Sequence, residues 1–325
     1  MITIYKERIK EIINNFKGKT IAVVGDVMLD RYFWGSVSRV SPEAPVPVVD
    51  VDRELYHMGG AANVAANLNS LGIKSILCGI IGNDEYGRIF KDLVKENDID
   101  PKGLFVDNNR PSTVKTRIFG NNQQIVRLDI ERTTELPDEG EKFILKTIQN
   151  SEDISAIIFC DYNKGALSDI LIREVIRHSK NKDIPVFVDP KYENFFTYRN
   201  VTLLKPNKKE VEDAIGKPIR NEEDVINAGK YLIDKLRCDN LLLTMGSGGM
   251  RLFESNGDIS TVQTQARHVA DVSGAGDTAI ATFAASVVGG AEVKEATTIA
   301  NVASGIVCEK PGIVSITKQD ILGSF

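Results

Sequence analysis

The chain reads as an α/β protein: a doubly wound, mainly parallel sheet carrying a small β-sheet lid. Three observations carry that expectation. Short apolar runs recur at 20–25, 75–82, 156–160, 184–189, 201–205 and 241–246, each the length of a buried parallel strand. Segments of helical period separate most of them, the alternation that builds parallel sheets. Two excursions, about 31–56 and 112–131, are β-rich, have no helical period and fall outside the alternation. No linker or repeat divides the chain, so a single catalytic-size domain over 1–325 is expected, with the lid built from the two insertions.

Taken in order, residues 1–17 place apolar and charged residues at helical spacing. TIAVVG (20–25) ends in glycine like a buried strand. The segment 31–58 holds aromatics, alternating valines and three prolines, which confine it to edge strands and turns. GGAANVAANLNSLG (59–72) opens on a glycine pair and continues as a helix, and SILCGIIG (75–82) is the next strand. A helix over 84–98 has Ile89, Phe90, Leu93 and Val94 on one face. In 112–131, two alternating halves flank GNN, a hairpin signal. Beyond 138 strands alternate with helices at about 138–150, 168–180, 207–214, 222–237, 275–288 and 292–308.

The 325 residues include 40 basic and 45 acidic side chains, a net charge of −5, with 42% hydrophobic and 26% charged residues. That balance excludes disordered and collagen-like classes and argues against nucleic acid as a partner. Cys78, Cys160, Cys238 and Cys308 lie about 70 to 82 residues apart without a CxxC, so neither a disulfide framework nor a zinc site is expected. Cys78, Cys160 and Cys308 sit in apolar runs and read as buried in a reducing cytosol. His57, His178 and His268 are too scattered for a metal site or a Ser/His pair. No run approaches 18 apolar residues, and the first residues lack a signal-peptide pattern, so a cytoplasmic protein with no membrane partner is expected.

The segment DVSGAGDTAIATFAASVVGG (271–290) is the most informative. Gly274, Ala275 and Gly276 let backbone N–H groups converge on an anion at a helix N-terminus, and Asp277 enters the first turn beside them. A carboxylate there can take a proton from a hydroxyl attacking a phosphate. The same pattern also fits an aspartate that merely favours the helix dipole. Familiar phosphate motifs are missing: GKT at 18–20 lacks the first glycine of a P-loop and precedes a strand, and no protein-kinase set occurs. GSGGM (246–250) reads more simply as a turn. Asp26 and Asp30 follow the first strand, where open α/β sheets bind ligands. Gly59, Gly60 and Asn63 offer another helix start, and carboxylates and amides suit a polyhydroxyl ligand, although turn chemistry explains each alone. Lys115 and Arg117 share one strand face, with Arg127 on the second half of the hairpin. They could grip a substrate phosphate or simply protect an edge strand.

The set DVSGAGDT, GG with Asn63, GDVMLD and IGNDEYG, in this order across almost the whole chain, resembles the ribokinase-type sugar kinase family. The runs at 26–49 (DVMLDRYFWGSVSRVSPEAPVPVV), 123–129 (QQIVRLD), 161–167 (DYNKGAL) and 188–191 (VDPK) resemble the heptose 7-phosphate kinases within it. The resemblance implies a ribokinase-like fold and ATP-dependent phosphorylation of D-glycero-β-D-manno-heptose 7-phosphate at its anomeric hydroxyl, on the route to ADP-heptose and lipopolysaccharide. It implies Asp277 as base, Gly274, Ala275 and Gly276 as anion hole, and Asp30, Gly59, Gly60 and Asn63 at the sugar. Asn207 and Glu210, in PNKKE, match a motif associated with magnesium and phosphate. Thr244, Gly246 and Gly249 fall where the nucleotide binds, and 305–312 where the adenine-side loop ends. Asp271 matches the region of a monovalent cation, K+ in kind. Lys115, Arg117 and Arg127 are the candidates for the acceptor's own phosphate. A homodimer through the lid is expected. Many relatives carry a nucleotidyltransferase domain, whose motif does not occur before Phe325. The alternatives are a kinase of this type for another sugar phosphate or nucleoside, and an inactive sugar-binding regulator.

Overall fold

A computed structural model describes residues 4–264 and 269–325; His268 falls outside them. In chain order the strands are β1 (Thr20–Gly25), β2 (Val27–Val40), β3 (Pro47–Gly60), β4 (Lys74–Gly82), β5 (Asp100–Asp107), β6 (Val114–Gly120), β7 (Gln123–Ile130), β8 (Ile154–Cys160), β9 (Val186–Asp189), β10 (Leu203–Leu204), β11 (Asn240–Thr244), β12 (Met250–Glu254) and β13 (Ile259–Val262). The helices are α1 (Lys6–Asn14), α2 (Ala61–Ser70), α3 (Glu85–Glu96), α4 (Asp138–Gln149), α5 (Asp169–Asn181), α6 (Lys208–Ile215), α7 (Glu222–Leu236), α8 (Ala275–Val288), α9 (Val293–Cys308) and α10 (Lys318–Gly323).

Among the described residues nine strands form one sheet in the order β13-β12-β11-β10-β9-β8-β1-β4-β5. From β5 to β11 every pairing is parallel, and β12 and β13 add an antiparallel edge. β1 lies between β4 and β8, so the chain leaves it in one direction and returns on the other side. That reversal opens a crevice at the carboxyl ends of the strands, the usual ligand position of such sheets. One apolar layer packs α1, α2, α8 and α9 against the sheet, and a second packs α4, α5 and α7 on the opposite face. α8 is buried on every side from Asp277 to Ser286. Its alanines let α2 and α9 approach closely, and Phe283 packs edge-on against Phe187 with ring centroids 5.9 Å apart.

The smaller sheet has the order β3-β2-β6-β7, with β2 and β6 parallel. Asn121 and Asn122 turn the β6–β7 hairpin with φ of 51° and 66°, the left-handed pair that a two-residue type I′ turn requires. Asn121 also accepts from the Val37 amide at 3.2 Å and donates to the Val37 carbonyl at 3.1 Å, which ties the hairpin tip to β2.

The boundaries differ from the sequence expectation in instructive ways. β2 begins at Val27 and β3 runs to Gly60, so the first excursion spans 27–60 instead of 31–56. Gly59 and Gly60 therefore end a strand, and Gly60 also caps α2. Backbone proximity is the reason for both: a Cβ on Gly59 would lie 2.3 Å from Asp30 Oδ2, and one on Gly60 would lie 2.3 Å from the Asp26 carbonyl. The strand expected at 201–205 shrinks to Leu203–Leu204, and that at 241–246 ends at Thr244 before a tight turn over Gly246–Gly248. β5, β12, β13 and α10 were not foreseen. Cys238 is buried along with Cys78 and Cys160, whereas Cys308 is only half-buried. No helix among the described residues is long and apolar enough to cross a membrane.

Candidate active site

The GAGD segment opens α8 at the crevice. Gly274 caps the helix with φ 78°, and a Cβ there would come 2.9 Å from the Asn63 amide nitrogen. Gly276 leaves the space in front of the first turn open, with Lys205 Nζ 3.5 Å from where its Cβ would stand. Asp277 is 7% exposed. Its Oδ2 accepts from Asn63 Nδ2 at 2.7 Å, and its Oδ1 accepts a close hydrogen bond from the Tyr162 hydroxyl. Burial pushes the Asp277 carboxyl above the ordinary range, while Tyr162, Asn63 and Lys205 pull it back.

Tyr162 stands on the loop after β8, and two buried aspartates fix that loop. Asp26 accepts from the backbone N–H groups of Tyr162 at 2.7 Å, Lys164 at 3.0 Å and Ala166 at 2.9 Å. Asp161 accepts from Tyr198 Oη at 2.7 Å, Asn194 Nδ2 at 3.0 Å and the Asn163 amide at 2.9 Å. Asp26 is thus a brace for this loop: its carboxylate bonds all go to backbone N–H groups, whereas Asp30, the other aspartate after the first strand, pairs with Arg117.

Four further charges line the same crevice. Lys205, 2% exposed, pairs with Asp189 at 3.0 Å. Burial pushes Asp189 up against the pull of Lys205. Lys191 forms a close ion pair with Glu210 and stands 5.8 Å from the Tyr162 ring centroid. Asn207 and Glu210 make a reciprocal cap on α6: the Asn207 side chain accepts from the Glu210 amide at 2.9 Å, and Glu210 accepts from the Asn207 amide at 2.8 Å. These groups border a cavity of about 370 Å³ that reaches Asp277, Gly274 and Gly276. A second cavity of about 300 Å³ adjoins it, sharing Thr244, Gly246, Val272 and Gly276. Its walls are largely apolar, with Ala275, Ala279 and Cys308 among them, and Gly249 lies at its border. A Cβ on Gly249 would strike the Val262 carbonyl at 2.1 Å, so that glycine keeps β12 and β13 together. A larger cavity, about 810 Å³, opens at Thr20, Lys74 and Ile154, the opposite strand ends, away from these residues.

The smaller sheet brings Asp30, Lys115, Arg117 and Arg127 to one face, since Asp30 pairs with Lys115 and Arg117 with Arg127 in register. His57 stands across from Asp30 on that face, edge-on to Tyr32 at 5.5 Å. Each cation already has a carboxylate. Arg117 forms a close pair with buried Asp30, Lys115 pairs with Asp129 at 3.2 Å and Glu131 at 3.5 Å, and Arg127 pairs with Asp129 at 3.0 Å. Lys164, from the braced loop, meets Glu131 at 2.8 Å. Asp271 ties the entrance of α8 to the C-terminal segment: its oxygens accept from Ser273 N at 2.9 Å and Gly312 N at 3.2 Å. Burial raises its carboxyl, but these bonds outweigh that and hold it below the ordinary range.

Tyr162, Asp189, Lys191, Lys205, Lys164 and His57 were given no site role in the sequence reading, although the runs at 161–167 and 188–191 contain four of them. A signal existed for most of them: a charge or tyrosine directly after a buried apolar strand, as in FCDY, FVDPK and LLKPN, stands at the ligand end of a parallel sheet. Among the described residues no group of three or more His, Cys, Asp or Glu is arranged to hold a metal ion alone.

Residues 19–319 match the family described as pfkB family carbohydrate kinase. The bifunctional protein HldE of Geobacter sulfurreducens is 40% identical over 304 residues, covering 93% of this chain and 62% of the relative. The chain thus spans under two thirds of that relative's length. Arabidopsis thaliana ribokinase in complex with ribose and ATP superposes with a TM-score of 0.74 at 18% identity, covering 95% of this chain and 98% of that one. Phosphofructokinase-2 from Escherichia coli in complex with potassium gives a TM-score of 0.78 at 15% identity, covering 94% and 97%.

Proposed function

The chain belongs to the pfkB family of carbohydrate kinases, and from that premise we propose that it transfers the γ-phosphoryl group of ATP to the anomeric O1 of D-glycero-β-D-manno-heptose 7-phosphate, in the cytoplasm. The observation that carries the reading is Asp277, buried at the start of α8 beside the Gly274–Gly276 turn and on the wall of the charged cavity, which adjoins the apolar one. The apolar cavity beside Gly246 takes the adenosine, and the charged one takes the phosphates. Asp277 accepts the proton of the acceptor hydroxyl as its oxygen attacks the γ-phosphorus, and ADP leaves with the electron pair of the broken P–O bond. The N–H groups around Gly274 and Gly276 meet the charge that builds on the transferred group. Lys205 and Lys191 add to that stabilisation.

The donor set suits magnesium held mainly by phosphates. Asp189 and Glu210 supply hard oxygens at the phosphate cavity, and too few protein ligands converge there for an independent cage. Magnesium supplies charge neutralisation on the nucleotide, with Glu210 as the carboxylate that would hold it once Lys191 lets go. Asp271, kept anionic by its backbone donors, suits a monovalent cation such as K+ beside the anion turn. Asp30, Gly59, Gly60 and Asn63 bound the sugar, and the smaller sheet closes over it as a lid that excludes water. Lys115 and Arg117 exchange their carboxylate partners for the 7-phosphate. Arg127 is more exposed and contributes at the rim.

An ATP-consumption assay across heptose 7-phosphate, other sugar phosphates and nucleosides tests the acceptor; faster turnover on a non-heptose rejects it. Asp277→Asn should cut turnover by roughly 10²–10⁴-fold while sugar binding persists. Near-normal turnover in that variant rejects the base assignment.

A further inference from the structure

Nothing in the proposed chemistry requires a tyrosine beside the base, yet several contacts of the fold converge on placing one. The loop that carries Tyr162 has three backbone N–H groups bonded to Asp26 and one to Asp161. Gly165 in the same loop has φ 84°, and a Cβ on it would lie 2.2 Å from the Thr134 carbonyl. Buried Arg110 donates to the Lys164 carbonyl at 2.7 Å and to the Arg132 carbonyl at 2.5 Å. What this bracing delivers is one hydroxyl on Asp277 Oδ1.

We infer that Tyr162 is a positioning residue for the phosphoryl-transfer base: its hydroxyl fixes the rotation of the Asp277 carboxylate and keeps it ionised for proton abstraction. The inference rests on Asp277 as base. The two carboxylate oxygens are each engaged, Oδ1 by Tyr162 and Oδ2 by Asn63, so the group cannot turn without losing a bond. The Asn63 side chain is itself held, since Asn67 Nδ2 donates to its Oδ1 at 3.4 Å as well as to its backbone carbonyl at 2.9 Å. A carboxylate offers about four lone-pair sites, so two donors leave room for the acceptor hydroxyl. A donor to the ionised form stabilises that form, against the burial that disfavours it. The charged and titratable groups facing Asp277 are Asp30 on β2, Cys160 at the end of β8, Asp189 at the end of β9 and Lys205 after β10. Only Lys205 among them favours the anion, and it is shared with Asp189. Removal of the tyrosine hydroxyl therefore leaves the carboxylate easier to protonate.

The test is Tyr162→Phe, which keeps the ring and its contact with Lys191. The acid limb of the pH profile of kcat/KM should move to higher pH by about one unit relative to the parent enzyme with the same substrates. Activity should recover at alkaline pH, and KM for ATP should stay within about twofold. Comparison with the parent cancels titration of the substrates' own phosphates. Site-specific 3-fluorotyrosine at 162, a stronger donor of nearly the same shape, should move the limb the other way, and it covers the case in which the phenylalanine variant folds poorly. An unmoved acid limb in both proteins overturns the inference. If it fails alone, Asp277→Asn is still inactive; if the base assignment fails, Asp277→Asn remains active.

Discussion

Asp277 shows what burial and bonding do to one carboxyl. Its ionisation lies above the ordinary carboxylate range because burial outweighs its donors. As the proposed base, Asp277 would work only when deprotonated, so turnover should fall as pH drops through that raised value, earlier than for an exposed aspartate. Gly165 is the residue whose substitution most directly tests the bracing around the base. Gly165→Ala combines a left-handed φ with a carbonyl clash and should cost roughly 2–3 kcal/mol, read by urea unfolding. A loss below about 0.5 kcal/mol would mean that the loop adapts freely. Asp277, Asn63 and Gly274 stand out in the sequence as glycines at helix starts with an acid or amide close behind, but the same pattern fits a dipole-favouring aspartate and turn chemistry, so their roles come from the family resemblance alone. Tyr162 and Lys205 carry only the weak signal of their place after a strand, because one tyrosine or lysine there is common. Their significance comes from partners more than 100 positions away in the case of Tyr162 and Asp277.

At the scale of elements, the strongly periodic helices and fully apolar strands were legible, and the missing pieces share a cause. β5 begins DPKG, where proline and glycine mask the strand signal, and within the sheet it pairs with β4 on one side only, its Leu104 and Phe105 packing against the apolar layers. β12 and β13 flank an Asn256–Gly257 turn, a hairpin signal hidden in a polar stretch that lacks alternation. α10 is a single capped turn too short for periodicity, stabilised by the Thr317–Asp320 cap. The β6–β7 hairpin was legible because its asparagine turn restricts the backbone to one geometry. Asn121 does more than turn the chain, since it bonds both backbone groups of Val37. Asn121→Ala should therefore loosen the lid and leave the core alone. We expect KM for the sugar to rise severalfold, while Tm falls by less than about 4 °C, the shift of roughly 1 kcal/mol in a protein this size. A large drop in Tm with unchanged KM would assign the contact to global stability.

For the whole molecule, the outer surface of the smaller sheet is the feature without a partner inside the chain. β7 is an edge strand exposed along its length, with Leu128 52% exposed and Val126 and Ile130 on the same face. Edges and apolar faces of this kind invite pairing with another copy. We propose an isologous dimer through this sheet. Sedimentation at micromolar concentration should give a dimer, and Leu128→Asp should give a folded monomer; a monomeric parent protein rejects the arrangement. The way this sheet is attached has a mechanical consequence. β2 follows β1 after the single residue Asp26, and β3 runs without a loop into α2. The cover is therefore no door on a pin. It is a leaf spring clamped at its root, with the irregular steps at Trp34/Gly35 and Val37/Arg39 as its compliant points. In the lid role proposed for this sheet, closure would spread as elastic bending along the ribbon, and the stiffness of those two steps would govern how readily the sugar enters and the product leaves.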